Sequence, residues 1–251
     1  MVNLYCITNG QFLDNLNLGR KYILNSEMNS IFFKKTELEN IKMISKEIKK
    51  EGYSIFKNKL DDPIIKELKS LSFKLKTKVG DDYTYFDLKN KKHNIYKFDS
   101  NDLVNNKWVQ KLIMDPVLKN IAGEYLGAEP IFDFAAMWWS TDSKIKNDDA
   151  AQEYHFDLDR PKWLKIFIYL SDVDTNNGPH CYISGSHKVG NKSQKTLDKG
   201  YVRISDKELL EFYNKNDFKE VTGPAGTITF GDTLCWHKGK PIAKGERLIL
   251  Q

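Results

Sequence analysis

Tyr154-His155-Phe156-Asp157 sets an imidazole and a carboxylate two positions apart. On a strand, residues i and i+2 project from one face, so both groups would enter the same space. A divalent metal is the natural use of such a pair, and a third ligand must then come from elsewhere in the fold. His237 is the candidate, on a later apolar segment preceded by Phe230-Gly231-Asp232-Thr233-Leu234-Cys235-Trp236. Two histidines and one carboxylate with open positions are the facial ligand set of non-haem Fe(II) oxygenases. Arg247 follows ten residues after His237, in a chain where only four of the 39 basic residues are arginines. Its guanidinium fork suits bidentate capture of a carboxylate. Its flanks Leu248, Ile249 and Leu250 predict a strand buried enough that an unpaired charge would be costly. His93, His180 and His187 have no such partner spacing, and core or surface roles are expected for them.

The elements that position these groups fall into two halves. From Glu37 to Lys50 the residues Leu38, Ile41, Ile44 and Ile48 recur at helical steps, with Gly52 at the expected stop. Tyr53-Ser54-Ile55-Phe56 reads as a short strand, and Asp62-Pro63 and Asp115-Pro116 each offer an N-cap and a first-turn proline to a helix. Gly127 is the expected C-cap of the second. After Pro130, short apolar runs bounded by turn residues predict strands at 131–139, 154–157, 163–170, 181–183, 227–230, 234–237 and 247–250. Ser205-Asp206-Lys207-Glu208 predicts one interrupting helix. The pattern implies a mainly β fold, an antiparallel sandwich or jelly roll with flanking helices. Residues 1–36 read as an N-terminal extension, and residues 37–251 as a single domain with a helical first half and a jelly-roll core from about residue 130.

Composition narrows the function further. With 251 residues, 40% hydrophobic and 29% charged, the chain can bury a substantial core, which excludes disorder. No apolar run is long enough to span a bilayer and Met1-Val2-Asn3-Leu4-Tyr5-Cys6 is not a signal sequence, so a cytoplasmic protein without a membrane partner is expected. Cys6, Cys181 and Cys235 are an odd count without a CxxC, which signals neither disulfides nor a thiolate zinc site. The net charge is +5, but the lysines are interleaved with Asp and Glu and arginine is scarce, which argues against a nucleic-acid partner.

The order of His155-x-Asp157, Asn177-Gly178-Pro179, Gly185-Ser186-His187-Lys188, Gly223-Pro224-Ala225-Gly226-Thr227, His237 and Arg247 resembles the phytanoyl-CoA dioxygenase family of Fe(II)/2-oxoglutarate oxygenases. Upstream, Lys50-Glu51-Gly52-Tyr53-Ser54-Ile55-Phe56 and Asp61-Asp62 resemble that family's opening helix and strand, so the likeness covers roughly residues 40–251. The resemblance implies a double-stranded β-helix, a cupin-like jelly roll, with His155, Asp157 and His237 on Fe(II). It also implies Arg247 on the distal carboxylate of 2-oxoglutarate, Phe167 lining the cosubstrate pocket, and O2 as the oxidant. Many relatives carry a basic residue in the strand before the His-x-Asp motif, where this chain has Met137-Trp138-Trp139-Ser140. Asp157 keeps the carboxylate that related halogenases replace by a small residue, which favours hydroxylation of a small-molecule substrate. The competing reading, a metal-binding jelly roll without redox turnover, is disfavoured by the four groups standing together. Substrate contacts are expected from the helical half and from the loops at 90–99, 140–152 and 189–202. Arg247 lies only four residues before the last residue, Gln251, and a C-terminal continuation is expected.

Overall fold

The computed structural model describes residues 2–11, 22–25, 28–33, 36–143 and 152–251. Helix α1 (Val2–Thr8) buries Tyr5 and Cys6. Helix α2 (Leu38–Glu51) buries Ile41, Ile44 and Ile48 on one face and ends at Gly52, φ 86°. Glycine is required at this stop on two counts: its backbone is left-handed, and an added Cβ would lie 2.7 Å from Cys235 Sγ. Helix α3 (Asp62–Ser72) has Asp61 at its N-cap position, one residue before the expected Asp62 and without a side-chain capping bond, with Pro63 in its first turn. Two short helices, α4 (Ser100–Val104) and α5 (Lys107–Ile113), start at Asp99 and Asn106, whose side chains accept backbone N–H bonds. Helix α6 (Pro116–Leu126) is capped as expected, with the Asp115 carboxylate accepting from Val117 and Leu118 N–H and Gly127 closing it at φ 74°.

The first half is not purely helical. Strands β1 (Tyr53–Ile55), β2 (Lys76–Val79), β3 (Asp82–Tyr85) and β4 (Ile95–Phe98) all join the main sheet. β2 alternates buried Thr77 and Val79 with exposed Lys76 and Lys78, but over four residues only, too short to stand out in a lysine-rich stretch. β4 takes up Ile95–Phe98 of the segment 90–99 expected to be a loop.

In the second half the strands are β5 (Met137–Thr141), β6 (Leu164–Tyr169), β7 (His180–Ile183), β8 (Phe218–Val221), β9 (Ile228–Asp232), β10 (His237–Gly239) and β11 (Glu246–Leu250). All pairings are antiparallel, in one sheet ordered β1-β9-β6-β11-β5-β4-β2-β3 and a second ordered β10-β7-β8. Helix α7 (Gln194–Leu197) and helix α8 (Asp206–Leu209), the latter capped by Ser205, lie between β7 and β8. Three strand expectations shift. The apolar run 131–139 becomes strand only from Met137, since Ile131 is 91% exposed on irregular chain. Residues 154–157 pair only through the bridges Tyr154↔Ile204 and His155↔His237. Thr233 and Leu234 form a turn, and the strand begins only at His237.

Strand alternation sorts the core into layers. On β6, Ile166 and Ile168 join the helix-facing core, while Phe167 and Tyr169 pack inward with Tyr182 and Val221 of the second sheet. On β11, Leu248 and Leu250 face the helices and Ile249 faces inward. Arg247 shares the parity of Ile249, so it too enters the space between the sheets. A third cluster joins Tyr5 of α1 to Phe156, Leu197 and Trp236. Lys192 is buried at its edge, donating to the carbonyls of Ser186 (2.7 Å) and Leu234 (2.5 Å) and lying over the rings of Tyr5, Phe156 and Trp236. Burial pushes its ammonium down to about 8. Cys6, Cys181 and Cys235 are buried free thiols, and among the described residues no helix is long and apolar enough to cross a membrane.

Candidate metal centre

His155 and His237 are locked side by side by reciprocal backbone bonds, His155 N–H to His237 O at 3.0 Å and His237 N–H to His155 O at 2.9 Å. Asp157 is fixed two residues on by its N–H to Thr233 O at 2.8 Å. One ligand atom from each of the three side chains lies within 4.8 Å of the others. His237 Nε2 is 3.4 Å from Asp157 Oδ2, and His155 Nε2 is 3.9 Å from Asp157 Oδ1. Ligands about 2.0–2.2 Å from one ion stand roughly 3 Å apart when adjacent and 4.2 Å apart when opposite, so these gaps suit a shared ion.

The donor chemistry fits a metal as well. His155 Nδ1 is 3.0 Å from Glu153 O and His237 Nδ1 is 2.8 Å from Cys235 O. A carbonyl only accepts, so both Nδ1 atoms carry the proton, and both Nε2 atoms are free to present a lone pair to a bound ion. Burial, with His237 beside it, pushes His155 down to about 4, so it stays neutral at physiological pH. Burial alone would raise Asp157, but His237 and Lys165 outweigh it and hold the carboxyl well below the usual range.

Two neighbours of the triad were not signalled by the sequence. Lys165 Nζ donates to Asp157 Oδ2 at 2.7 Å, and Tyr201 OH donates to Asp157 Oδ1 at 3.3 Å. Lys165 stands two positions before Phe167 on β6, so period-2 alternation would have placed it on the inward face. Tyr201 belongs to the segment 189–202, expected to be a substrate loop. That segment instead contains α7 and the buried residues Lys192 and Leu197, and only its far end reaches the centre. Of the loop at 140–152, Ser140 and Thr141 are part of β5 and residues 144–151 lie outside the described residues.

Arg247 is buried, with Nη1 donating to Gly178 O and Nη2 to Ser140 Oγ at 3.3 Å, while Nε has no partner. Among the described residues no carboxylate pairs with it. Burial pushes its pKa down. A buried guanidinium held only by neutral acceptors calls for an anion from outside the chain. Phe167 is buried on the same inward layer, its ring centroid 4.2 Å from that of His180. His180, expected to have a core or surface role, is buried in the space between the sheets, where burial and the nearby His237 and Arg247 push its pKa far down. His187 lies outside the triad, with Nε2 3.1 Å from Lys49 O, and His93 is near the ring of Tyr96.

Comparison with known proteins bears on family and fold. An ectoine dioxygenase of Stutzerimonas stutzeri (strain A1501) is 33% identical over 90 residues, 32% of this chain and 30% of that protein, so the match spans under a third of the relative's length. The solved structure of apo EctD from S. alaskensis has a TM-score of 0.58 at 14% identity, covering 92% of this chain and 81% of that one. The epimerase SnoN, solved with Fe3+, alpha ketoglutarate and nogalamycin RO, gives 0.59 at 14% identity, covering 85% and 82%. These likenesses show the fold, the cupin-like jelly roll. The sequence match to the family described as phytanoyl-CoA dioxygenase (PhyH) runs from residue 48 to residue 246, taking in both metal-site segments, and the chain belongs to that family.

Proposed function

We propose that the protein is a non-haem Fe(II)- and 2-oxoglutarate-dependent dioxygenase that hydroxylates a small molecule. The observation that carries this reading is the convergence of His155, Asp157 and His237, with both Nε2 lone pairs turned inward, beside a buried arginine that lacks a counter-anion. Bound iron would supply the coupling of O2 reduction to oxidative decarboxylation of 2-oxoglutarate, giving succinate, CO2 and one oxygen atom inserted into a substrate C–H bond. The chain's own residues do the rest. Glu153 and Cys235 carbonyls fix the ring orientations of the two histidines. Arg247, held by Gly178 and Ser140, presents its fork to the distal carboxylate of the cosubstrate, and Phe167 lines the pocket. The apolar inward layer of Phe167, Tyr169, Val221 and Ile249 excludes water from the reacting centre.

The catalytic unit in this reading is residues 37–251, with described residues of the N-terminal extension such as Tyr5 and Phe33 packing against it, acting on a small-molecule substrate in the cytoplasm. The bound metabolites of the SnoN structure support the substrate class, and three reduced, buried thiols support the compartment. The test is succinate formation from 2-oxoglutarate with Fe(II) and O2, screened across metabolite pools. Substrate-stimulated succinate is the expected result, and metal binding without any 2-oxoglutarate turnover would overturn the reading.

A further inference from the structure

His180 is a polar side chain of the inner chamber that the proposed chemistry leaves unused. It is 6% exposed, and its Nε2 is buried without a hydrogen-bond partner. The ring is wedged between Phe167 at 4.2 Å and Tyr182 at 4.9 Å, and it lies 5.7 Å from the ring of His237 at an interplanar angle of 25°. Its backbone is pinned as well. The His180 N–H donates to Tyr169 OH at 3.0 Å, and that hydroxyl in turn donates to Val221 O at 2.8 Å. A side chain held this firmly has little freedom to seek a partner elsewhere, and leaving a buried nitrogen unpaired is costly.

Arg247 is the second half of the observation. Its Nη1 reaches Gly178 O, two residues before His180, and its Nε is also buried without a partner. The chamber thus holds two unpartnered buried nitrogens, one next to a metal ligand and one on the cation expected to meet a carboxylate. The opposite wall carries no cation: β5 contributes Trp138 and Ser140 on its inward parity, and Ser140 Oγ accepts from Arg247. A five-carbon dicarboxylate running from the metal to Arg247 would pass the His180 ring.

We propose that His180 is the second cosubstrate contact: its imidazole N–H donates to the distal carboxylate that Arg247 holds, and its ring packs along the carbon chain. The assignment rests on the dioxygenase reading and deepens it. It also accounts for the missing cation on β5, because a neutral donor on β7 takes that place.

The test is calorimetric titration of 2-oxoglutarate into the full-length protein loaded with Mn(II), which needs no turnover. His180→Leu removes the donor, His180→Phe removes it while keeping a ring, and His180→Gln keeps an N–H. The expected result is roughly tenfold weaker 2-oxoglutarate binding in H180L and H180F, as for a lost hydrogen bond to a charged group, and near-wild-type binding in H180Q. Mn(II) affinity and melting midpoint stay unchanged in at least one of the two donorless variants. With 2-oxopentanoate, which lacks the distal carboxylate, the penalty disappears. Unchanged 2-oxoglutarate affinity in H180L and H180F, or a penalty that persists with 2-oxopentanoate, overturns the assignment alone. Failure of the Mn(II)-loaded wild type to bind 2-oxoglutarate at all overturns the dioxygenase reading and this assignment with it.

Discussion

Lys165 Nζ stands 2.7 Å from Asp157 Oδ2, the same oxygen that lies 3.4 Å from His237 Nε2. The carboxylate of the metal triad is therefore already paired with a cation, and an arriving metal ion must compete with it. Lys165→Met leaves Asp157 without that pair, so divalent metal binding is expected to tighten by about tenfold, or about 1.4 kcal/mol. Mn(II) titration of the two proteins measures it. Weaker binding in K165M would show instead that the ammonium serves to orient the carboxylate.

Removing a ligand should act in the other direction. His237→Ala and Asp157→Ala each take away one of three ligand atoms from a site that has no fourth among the described residues. The rise in melting temperature on adding Fe(II) or Mn(II) is expected to vanish in both, because stabilisation by a ligand scales with its affinity for the folded state. A full metal-induced shift in H237A would remove His237 from the site.

Arg247→Lys separates cosubstrate binding from metal binding. Lysine keeps the charge and loses the planar fork that now contacts Gly178 and Ser140. The expectation is at least about tenfold weaker 2-oxoglutarate binding with Mn(II) affinity unchanged. Equal loss of both would mean that the substitution disturbs the fold.

The metal-free protein should be acid-sensitive in a defined window. Burial and His237 lower His155 from 6.5 to about 4 on folding, so between these values the unfolded chain binds more protons than the folded one. Stability then falls as the pH drops from 6.5 towards 4. Asp157, lowered by His237 and Lys165 against its own burial, adds a further loss below the ordinary carboxylate range. Melting temperatures of the apo wild type are expected to decline more steeply across this window than those of His155→Phe. Parallel profiles would contradict the assignment.

The triad was legible in the sequence because histidine is rare in the chain and because i, i+2 geometry needs only extended backbone. Residues 154–157 never form a regular ladder, yet His155 and Asp157 still converge. Arg247 was legible for the same reason, a rare charge amid Leu248, Ile249 and Leu250. Lys165 and His180 were not: alternation puts Lys165 on the face of Phe167, but which groups either residue meets is decided only when the opposing sheet is in place. Helix ends followed their caps closely, Gly52 and Gly127 included, because a cap is a local bonding problem. The exposed run from Ile131 to Phe134 misled for the opposite reason: apolar residues need not be buried, and β5 starts only at Met137.

The aromatic enclosure of Lys192 sets a timetable for assembly. Tyr5, Phe156, Lys192 and Trp236 come from four distant stretches of chain, and closing such spans costs entropy that local contacts do not. Helices α2 and α3 can form from neighbouring residues, but this enclosure waits for the whole second half. Two of its walls, Phe156 and Trp236, are the immediate neighbours of His155 and His237. The histidines therefore meet only once the polypeptide has closed upon itself. A metal ion that needs all three ligands thus finds them together only in the folded protein.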